Sequence, residues 1–469
     1  MAQRRFDSSH RPFRWALARV VLAVLVAGTA PGVRADVTFT VNTVADEPDA
    51  DVFDGACRTT GGACSLRAAT MQANHLAAPG VAYIQVPDGV YGITIPPVGP
   101  DGEDVGDFNL DAPLIANQRV EITGAGSATT IIDGNLRDRL FNVAVGRNAT
   151  LRGLTLRNGR RTTLAPQIGG AITNDGVLTV DSCVIESNAA TGNGGGIYNR
   201  SNLLTITDSV LRANSGGLGG AICSFGAVRV LRSTISSNDG GAGGGGIFSA
   251  TDALVRDSLV SGNHATYGGG IYAFVRAFVV NTTVSGNYAL IDGGGIRGGG
   301  ITGLYNSTVV DNDADHDHDE NGGTGGGVYA LAGGGARFIV VNSLIARNTI
   351  FDSPIADDCN GTLEAYGMNL FTTLTGCDNP NFLAIGGIAA ASIGPLQDNG
   401  GPTPTHAISA DSTATNGTNP ALGCVDEFGV ALRTDQRGAP RTAGARCDVG
   451  AFEFDSAVPP PQVFANGFE

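Results

Sequence analysis

Lysine is absent from this chain, and all 29 basic residues are arginine. That points to a GC-rich genome and carries no structural consequence. Charge of either sign is scarce, at 16% of residues, while 42% are hydrophobic, so disorder driven by high charge and low hydrophobicity is excluded. Past residue 35 no segment approaches ~18 uninterrupted apolar residues, so no transmembrane segment is expected in the mature chain. No 3.6-residue hydrophobic period appears, which argues against a helical fold. Glycine is abundant, at 70 of 469 residues, and in an ordered chain this indicates tightly turned β-structure.

Arg4, Arg5, Arg11, Arg14 and Arg19 precede an apolar run over 20–27, and small residues then lead to Val33-Arg34-Ala35. This is the order of a signal peptide with cleavage after Ala35, because the run is too short to span a bilayer. The expected location is therefore secreted or extracellular, attached to the outer cell surface if anchored. Removing residues 1–35 takes away six arginines and Asp7, leaving 23 basic against 43 acidic residues and a net charge of −20. Nucleic acid is excluded as a partner on that charge. Eight cysteines fit an oxidising compartment. Six form sequence-local pairs outside the repeats, so disulfides are expected between Cys57 and Cys64, Cys359 and Cys377, and Cys424 and Cys447.

A Gly-Gly-x-Ile element returns with its aliphatic residue at Ile172, Ile197, Ile222, Ile247, Ile271, Ile296 and Val328, at steps of 25, 25, 25, 24, 25 and 32. A second element ends at Asn188, Asn214, Asn238, Asn263, Asn287, Asn312 and Asn348. Three and eight residues before each asparagine every position is aliphatic, and five before it every position is small, from Cys183 and Ser209 to Ser343. Period-2 alternation of this kind marks strands, and a unit this short cannot bury its own face. The fold expected is all-β: a single-stranded right-handed parallel β-helix, a solenoid of about 25-residue coils. The asparagines are read as a structural ladder at a coil corner, bonding to backbone and to one another. Six before the asparagine stand Ser182, Asp208, Arg232, Asp257, Asn281, Asn306 and Asn342, read as an exposed column with Arg232 between Asp208 and Asp257. Cys183 and Cys223 lie at different points of the coil cycle and are expected as buried thiols.

Residues 64–74 read as a short helix, preceded by an acidic loop over 46–54 and followed by a strand over 84–95. The domain order expected is a signal peptide over 1–35, a helix-bearing N-terminal cap over 36–78, and coils over 79–350. A cysteine-bearing capping segment over 351–455 and a Pro-rich spacer and tail over 456–469 complete it. The stretch Cys64-Ser65-Leu66-Arg67-Ala68-Ala69 resembles the CSLREA signature that opens exported bacterial β-helix proteins, with Ala68 where that name has glutamate. Residues 394–406, Asp435-Gln436-Arg437-Gly438 and Cys447-Asp448-Val449-Gly450-Ala451-Phe452-Glu453 resemble the C-terminal segment of the choice-of-anchor Q family. The Gly-Gly-x-Ile repeats are similar to those of polymorphic outer-membrane proteins. These resemblances imply fold and export, and bring no catalytic residues with them.

Between Asn312 and Val328 the spacing swells to 16 residues, and the insert holds Asp313, Asp315, His316, Asp317, His318, Asp319 and Glu320. Carboxylates suit Ca²⁺ and the two imidazoles a transition metal, so this loop is the metal candidate. Asp46, Glu47, Asp49, Asp51 and Asp54 are a second candidate for Ca²⁺. The bland reading of both is a solvated acidic turn. The functional reading is a non-enzymatic, adhesin-like surface scaffold whose partner is a polysaccharide or cell-surface glycan. Two competing readings are a β-helix polysaccharide lyase or glycoside hydrolase and a structural surface-layer component. Asp357-Asp358, the acidic pair an enzyme would need, is placed in the C-terminal segment and off the regular coils.

Overall fold

Ile197 lies directly beside Ile222, and Ile222 beside Ile247, in parallel strands one coil apart. The 25-residue period thus closes on itself in space, and the architecture is a right-handed parallel β-helix. The computed structural model describes residues 36–458 apart from 77, 98–101, 112, 114–117, 162–166, 318–321, 351–354, 379–384 and 442–443. The expected signal peptide and the tail over 459–469 lie outside the described residues.

Three long parallel sheets run along the stack. The first begins at Val37–Thr40 and Val81–Val86 and reaches Arg337–Val341. The second holds 12 described strands from Gly89–Gly92 to Ile385–Gly387. The third runs from Phe108–Leu110 to Val328–Ala330, and strand Cys359–Tyr366 pairs with both the first and the third. Coil stacking therefore continues past residue 350, where the coils were expected to end. Asp357-Asp358 is correspondingly on a coil: Cys359 sits beside Val328, and Leu363 beside Phe338.

The interior is one continuous apolar column set, with Val180, Ile206, Val230, Val255, Val279, Leu304 and Val340 all buried. Corners are held by polar ladders. Each ladder asparagine donates its backbone N–H and its Nδ2 to Oδ1 of the next, as Asn263 does to Asn287 at 3.0 and 2.9 Å. A second ladder runs through the small column. The backbone N–H of Ser209 donates to Ser233 Oγ, and that hydroxyl donates to the Leu231 carbonyl. The glycine pairs turn a third corner. Gly244 has φ +64°, and a Cβ on Gly245 would lie 2.3 Å from the Gly269 carbonyl oxygen of the next coil.

The column six before the asparagines is a left-handed bend in every coil, with φ between 47 and 55° from Ser182 to Asn342. Asp and Asn tolerate that conformation because their side chains bond locally. Ser182, Asp208 and Arg232 are exposed as expected, and the expectation is corrected for the later members of the column. Arg232 pairs with Asp208 at 2.6 Å, Asp257 accepts from Asn281 at 2.6 Å, and Asn281, Asn306 and Asn342 are buried.

At the N-terminus the helix spans Leu66–Asn74 and is capped by Ser65, whose hydroxyl accepts from the Ala68 N–H. The strand expected over 84–95 divides into Val81–Val86 and Gly89–Gly92, since Pro87 has no N–H to offer the ladder. At the other end, the segment after Ile388 folds back along the flank. It includes an antiparallel pair, Ile393–Gln397 with Thr405–Ile408. It covers outward-facing Val310, Leu344 and Ala346 with Ile393, Ile408, Val449 and Phe452, and Val280, Tyr305 and Val341 with Val425 and Leu432. The pairs Cys57–Cys64, Cys359–Cys377 and Cys424–Cys447 are bonded, while Cys183 and Cys223 are free and buried.

Candidate functional site

The acidic insert is only partly described, since His318, Asp319 and Glu320 lie outside the described residues. Asp313 belongs to strand Asp313–Ala314; its Oδ1 accepts from Thr349 Oγ1 at 2.7 Å and its Oδ2 lies 2.8 Å from His316 Nδ1. The His316 ring stands over Tyr288, 4.2 Å between centroids, and Tyr288 stacks on His264. Asp315 is buried and Asp317 is exposed. Among the described residues no three His, Cys, Asp or Glu side chains gather as a metal would require.

In the N-terminal acidic loop, neighbouring donors occupy the carboxylates. Asp46 accepts from Arg67 Nε at 2.7 Å and from the Thr94 N–H at 2.7 Å, and Asp49 accepts from the Arg58 N–H at 2.9 Å and Gln72 Nε2 at 3.1 Å. Arg67 is fully buried. It also donates to the Gly106 carbonyl at 2.7 Å and lies over the Phe108 ring. This loop therefore ties the helix to the first coils through Arg67 and Gln72, and Ala68 makes no polar side-chain contact there.

The C-terminal motifs do the same work along the flank. Thr283 Oγ1 donates to Gln436 Oε1, His406 Nε2 meets Ser285 Oγ at 2.8 Å, and Arg441 Nη2 donates to Asn281 Oδ1 at 2.6 Å. The Asn306 and Asn342 amides donate to the carbonyls of Val425 and Gly423. Burial pushes the Glu453 carboxyl up to about 7 and holds His406 below its ordinary value. His406 Nδ1 faces the Gly394 carbonyl at 2.8 Å, which can only accept, so Nδ1 carries a proton.

Between this flank segment and the first sheet lies a groove of about 680 Å³, lined among others by Arg229, Asp252, Asp257, Asp426, Glu427 and Phe428. Arg256 holds Glu427 at 2.6 Å and Asp426 at 3.3 Å, and Arg276 holds Asp252 at 2.6 Å. Burial raises the Asp257 carboxyl.

The feature most suited to binding is on the third sheet. The residue after each Gly-Gly-x-Ile aliphatic points outward, and registration stacks Tyr198, Cys223, Phe248, Tyr272, Arg297 and Tyr329 in one column. Phe225 and Phe274, two residues further on, cover it. Ring centroids run from Tyr198 to Phe225 at 5.8 Å, Phe225 to Phe248 at 6.0 Å, Phe248 to Phe274 at 5.6 Å and Tyr272 to Phe274 at 4.8 Å. Arg297 closes the strip, lying 4.5 Å over Tyr267, 4.7 Å over Tyr272 and 5.6 Å over Tyr329. Phe225 and Phe274 remain 39% and 49% exposed. Sequence reasoning passed over this strip; its signal was an aromatic residue returning at the coil spacing one place after the aliphatic.

Residues 182–200 match the Chlamydia polymorphic membrane protein repeat. This is a parallel β-helix repeat protein. The chain is also similar to the crystal structure of the pectate lyase Pel9A, at 13% identity and a TM-score of 0.48 over 90% of this chain and 96% of that one. No curated protein sequence matches it. Among the described residues no helix is long and apolar enough to cross a membrane.

Proposed function

We propose that this protein is an exported, surface-associated β-helix scaffold that binds an extended glycan along the aromatic strip without cleaving it. The observation that carries this reading is the contiguous, partly exposed ring column from Tyr198 through Phe274 to Tyr329. Phe225 and Phe274 lie partly in water over the buried Phe248 and Tyr272, and apolar rings left exposed side by side favour a partner that covers them. Aromatic faces accept the C–H face of a pyranose ring, and Phe225 and Phe274, two coils of ~4.8 Å apart with Ala250 between them, offer two stacking positions along the stack for a linear polymer. The signal-peptide-like leader and the repeat match over 182–200 support the cell-surface setting.

The test is affinity electrophoresis of the purified protein against a panel of linear polysaccharides. Replacing Phe225 and Phe274 together by alanine should weaken retention by about ten-fold, the size of two lost aromatic contacts. Equal retention of wild type and variant would count against the strip. A second reading, cleavage in the groove, is favoured by the raised Asp257 carboxyl beside Asp252, Asp426 and Glu427. Release of reducing or unsaturated sugars that disappears in Asp257→Asn would select it.

A further inference from the structure

The corner that carries the aromatic strip continues toward the N-terminus as a furrow of about 620 Å³. Gly80, Gln118, Arg147, Gly176 and Asn202 occupy one corner position in successive coils, and Gly226, next to Phe225, is the following member. The furrow and the strip are therefore collinear, one ending where the other begins. Arg200 stands at the junction, over the Tyr198 ring and 3.3 Å from Asp175.

The charge of the furrow runs against that of the chain. Its described walls contain Arg119 and Arg147 and no carboxylate, in a sequence whose acidic residues outnumber its basic ones by 15. Arg147 is 1% exposed. Its Nε donates to the Asp111 carbonyl at 2.6 Å and its Nη2 to Asn74 Oδ1 at 3.2 Å, while Nη1 is buried without an acceptor. A buried guanidinium nitrogen whose N–H groups are unanswered favours an oxyanion that can accept from it. The Asp111 carboxyl stands close enough to attract Arg147, while burial shifts that carboxyl above its usual range. Burial also brings Arg147 down to about 10, which leaves it charged at neutral pH. Arg119 is exposed on the lip and has no ion-pair partner among the described residues.

We infer that the furrow is an oxyanion subsite for the uronate carboxylates or sulfate esters of an acidic glycan whose chain continues onto the aromatic strip. This inference rests on the glycan-binding reading of the strip. Arg119 on the lip would supply the charge-assisted bond, the buried Arg147 behind the wall would add positive charge, and the rings would supply the stacking.

The experiment compares binding of the purified protein to an alginate oligosaccharide, a dextran sulfate and a neutral dextran at low and high salt. At least one acidic glycan should bind about ten-fold tighter than the neutral one, with the advantage shrinking as salt screens the arginines. Alginate alone would identify the carboxylate as the ligand group, and dextran sulfate alone the sulfate. Arg119→Glu should bring the acidic-to-neutral ratio to about one. It lies on the surface, so it keeps the inference testable if Arg147→Met fails to fold. Glycan binding that depends on Phe274 yet shows no acidic preference overturns the furrow alone, as does a preference untouched by Arg119→Glu. Absence of any glycan binding, or binding that ignores Phe274→Ala, overturns the strip and the furrow with it.

Discussion

The backbone N–H and the side-chain Nδ2 of Asn348 both donate to Oδ1 of Asp358, at 3.1 and 3.0 Å. The asparagine ladder is therefore directional, and it ends on a group that only accepts. The other carboxylate oxygen accepts from the N–H groups of Thr372 and Thr373 at 2.7 and 2.8 Å. An asparagine here would turn an NH₂ against those donors. Asp358→Asn should lower the unfolding free energy by about 1–3 kcal/mol. An earlier denaturant midpoint at unchanged slope is the expected result, and an unmoved midpoint would remove the carboxylate from this role.

Within the ladder, each Nδ2 also reaches a carbonyl of the preceding coil, as Asn263 does to Ile235 at 2.9 Å. Asn263→Ala leaves that carbonyl and the Asn287 oxygen short of a donor, and leaves the Asn238 N–H and amide without their acceptor. A loss of about 1–3 kcal/mol is expected in thermal or chemical unfolding. A variant as stable as the wild type would show that the ladder adds nothing.

Arg441 is the keystone of the flank segment, since it bonds Asn281, the Gly450 carbonyl and, at 3.4 Å, Glu453. Arg441→Met removes the positive charge beside buried Asp448 and leaves the Gly450 carbonyl and Asn281 Oδ1 without that donor, a loss of about 3–5 kcal/mol at this junction. Limited proteolysis should then cut within 420–456 while the far-ultraviolet spectrum of the stack persists. Resistance equal to the wild type would mean that the apolar contacts alone hold the segment.

Acidity acts on the same junction. Burial raises Glu453 from 4.5 to about 7, so the folded protein holds a proton there that the unfolded chain releases. The resulting stability is fully present below pH 4.5 and is lost as pH rises through about 7. His406, held below its ordinary value of 6.5 by burial, acts oppositely and destabilises as pH falls through that value. Glu453→Gln should flatten the decline in melting temperature between pH 4.5 and 7, and a profile parallel to the wild type would refute the assignment.

Burial raises both free thiols, Cys183 to about 12, so neither forms a thiolate at neutral pH. Native protein should be inert to a thiol reagent and should yield two reactive groups per chain once unfolded. Labelling under native conditions would show that these coils open.

Much of this molecule can be read from its residues in order, because one coil length separates side chains that become neighbours. Val180 above Ile206 and Asn188 above Asn214 are visible in the spacing alone, since each column repeats and a slip of one residue would turn it inside out. The Leu66–Asn74 helix and the cysteine pairs are local and equally legible. The aromatic strip was written at the same period, and it emerged as a site only when Phe225 and Phe274, from another column, closed over Phe248. The rest has no period. Asn281, Asn306 and Asn342 look like further members of an exposed column until residues 423–441 return from far along the chain to bury them. Arg147 reads as any surface arginine until Asn74 and Asp111 enclose two of its nitrogens and leave the third without a partner. Such contacts join non-repeating segments across long sequence separations, where only the competition for buried surface and hydrogen bonds decides what meets what.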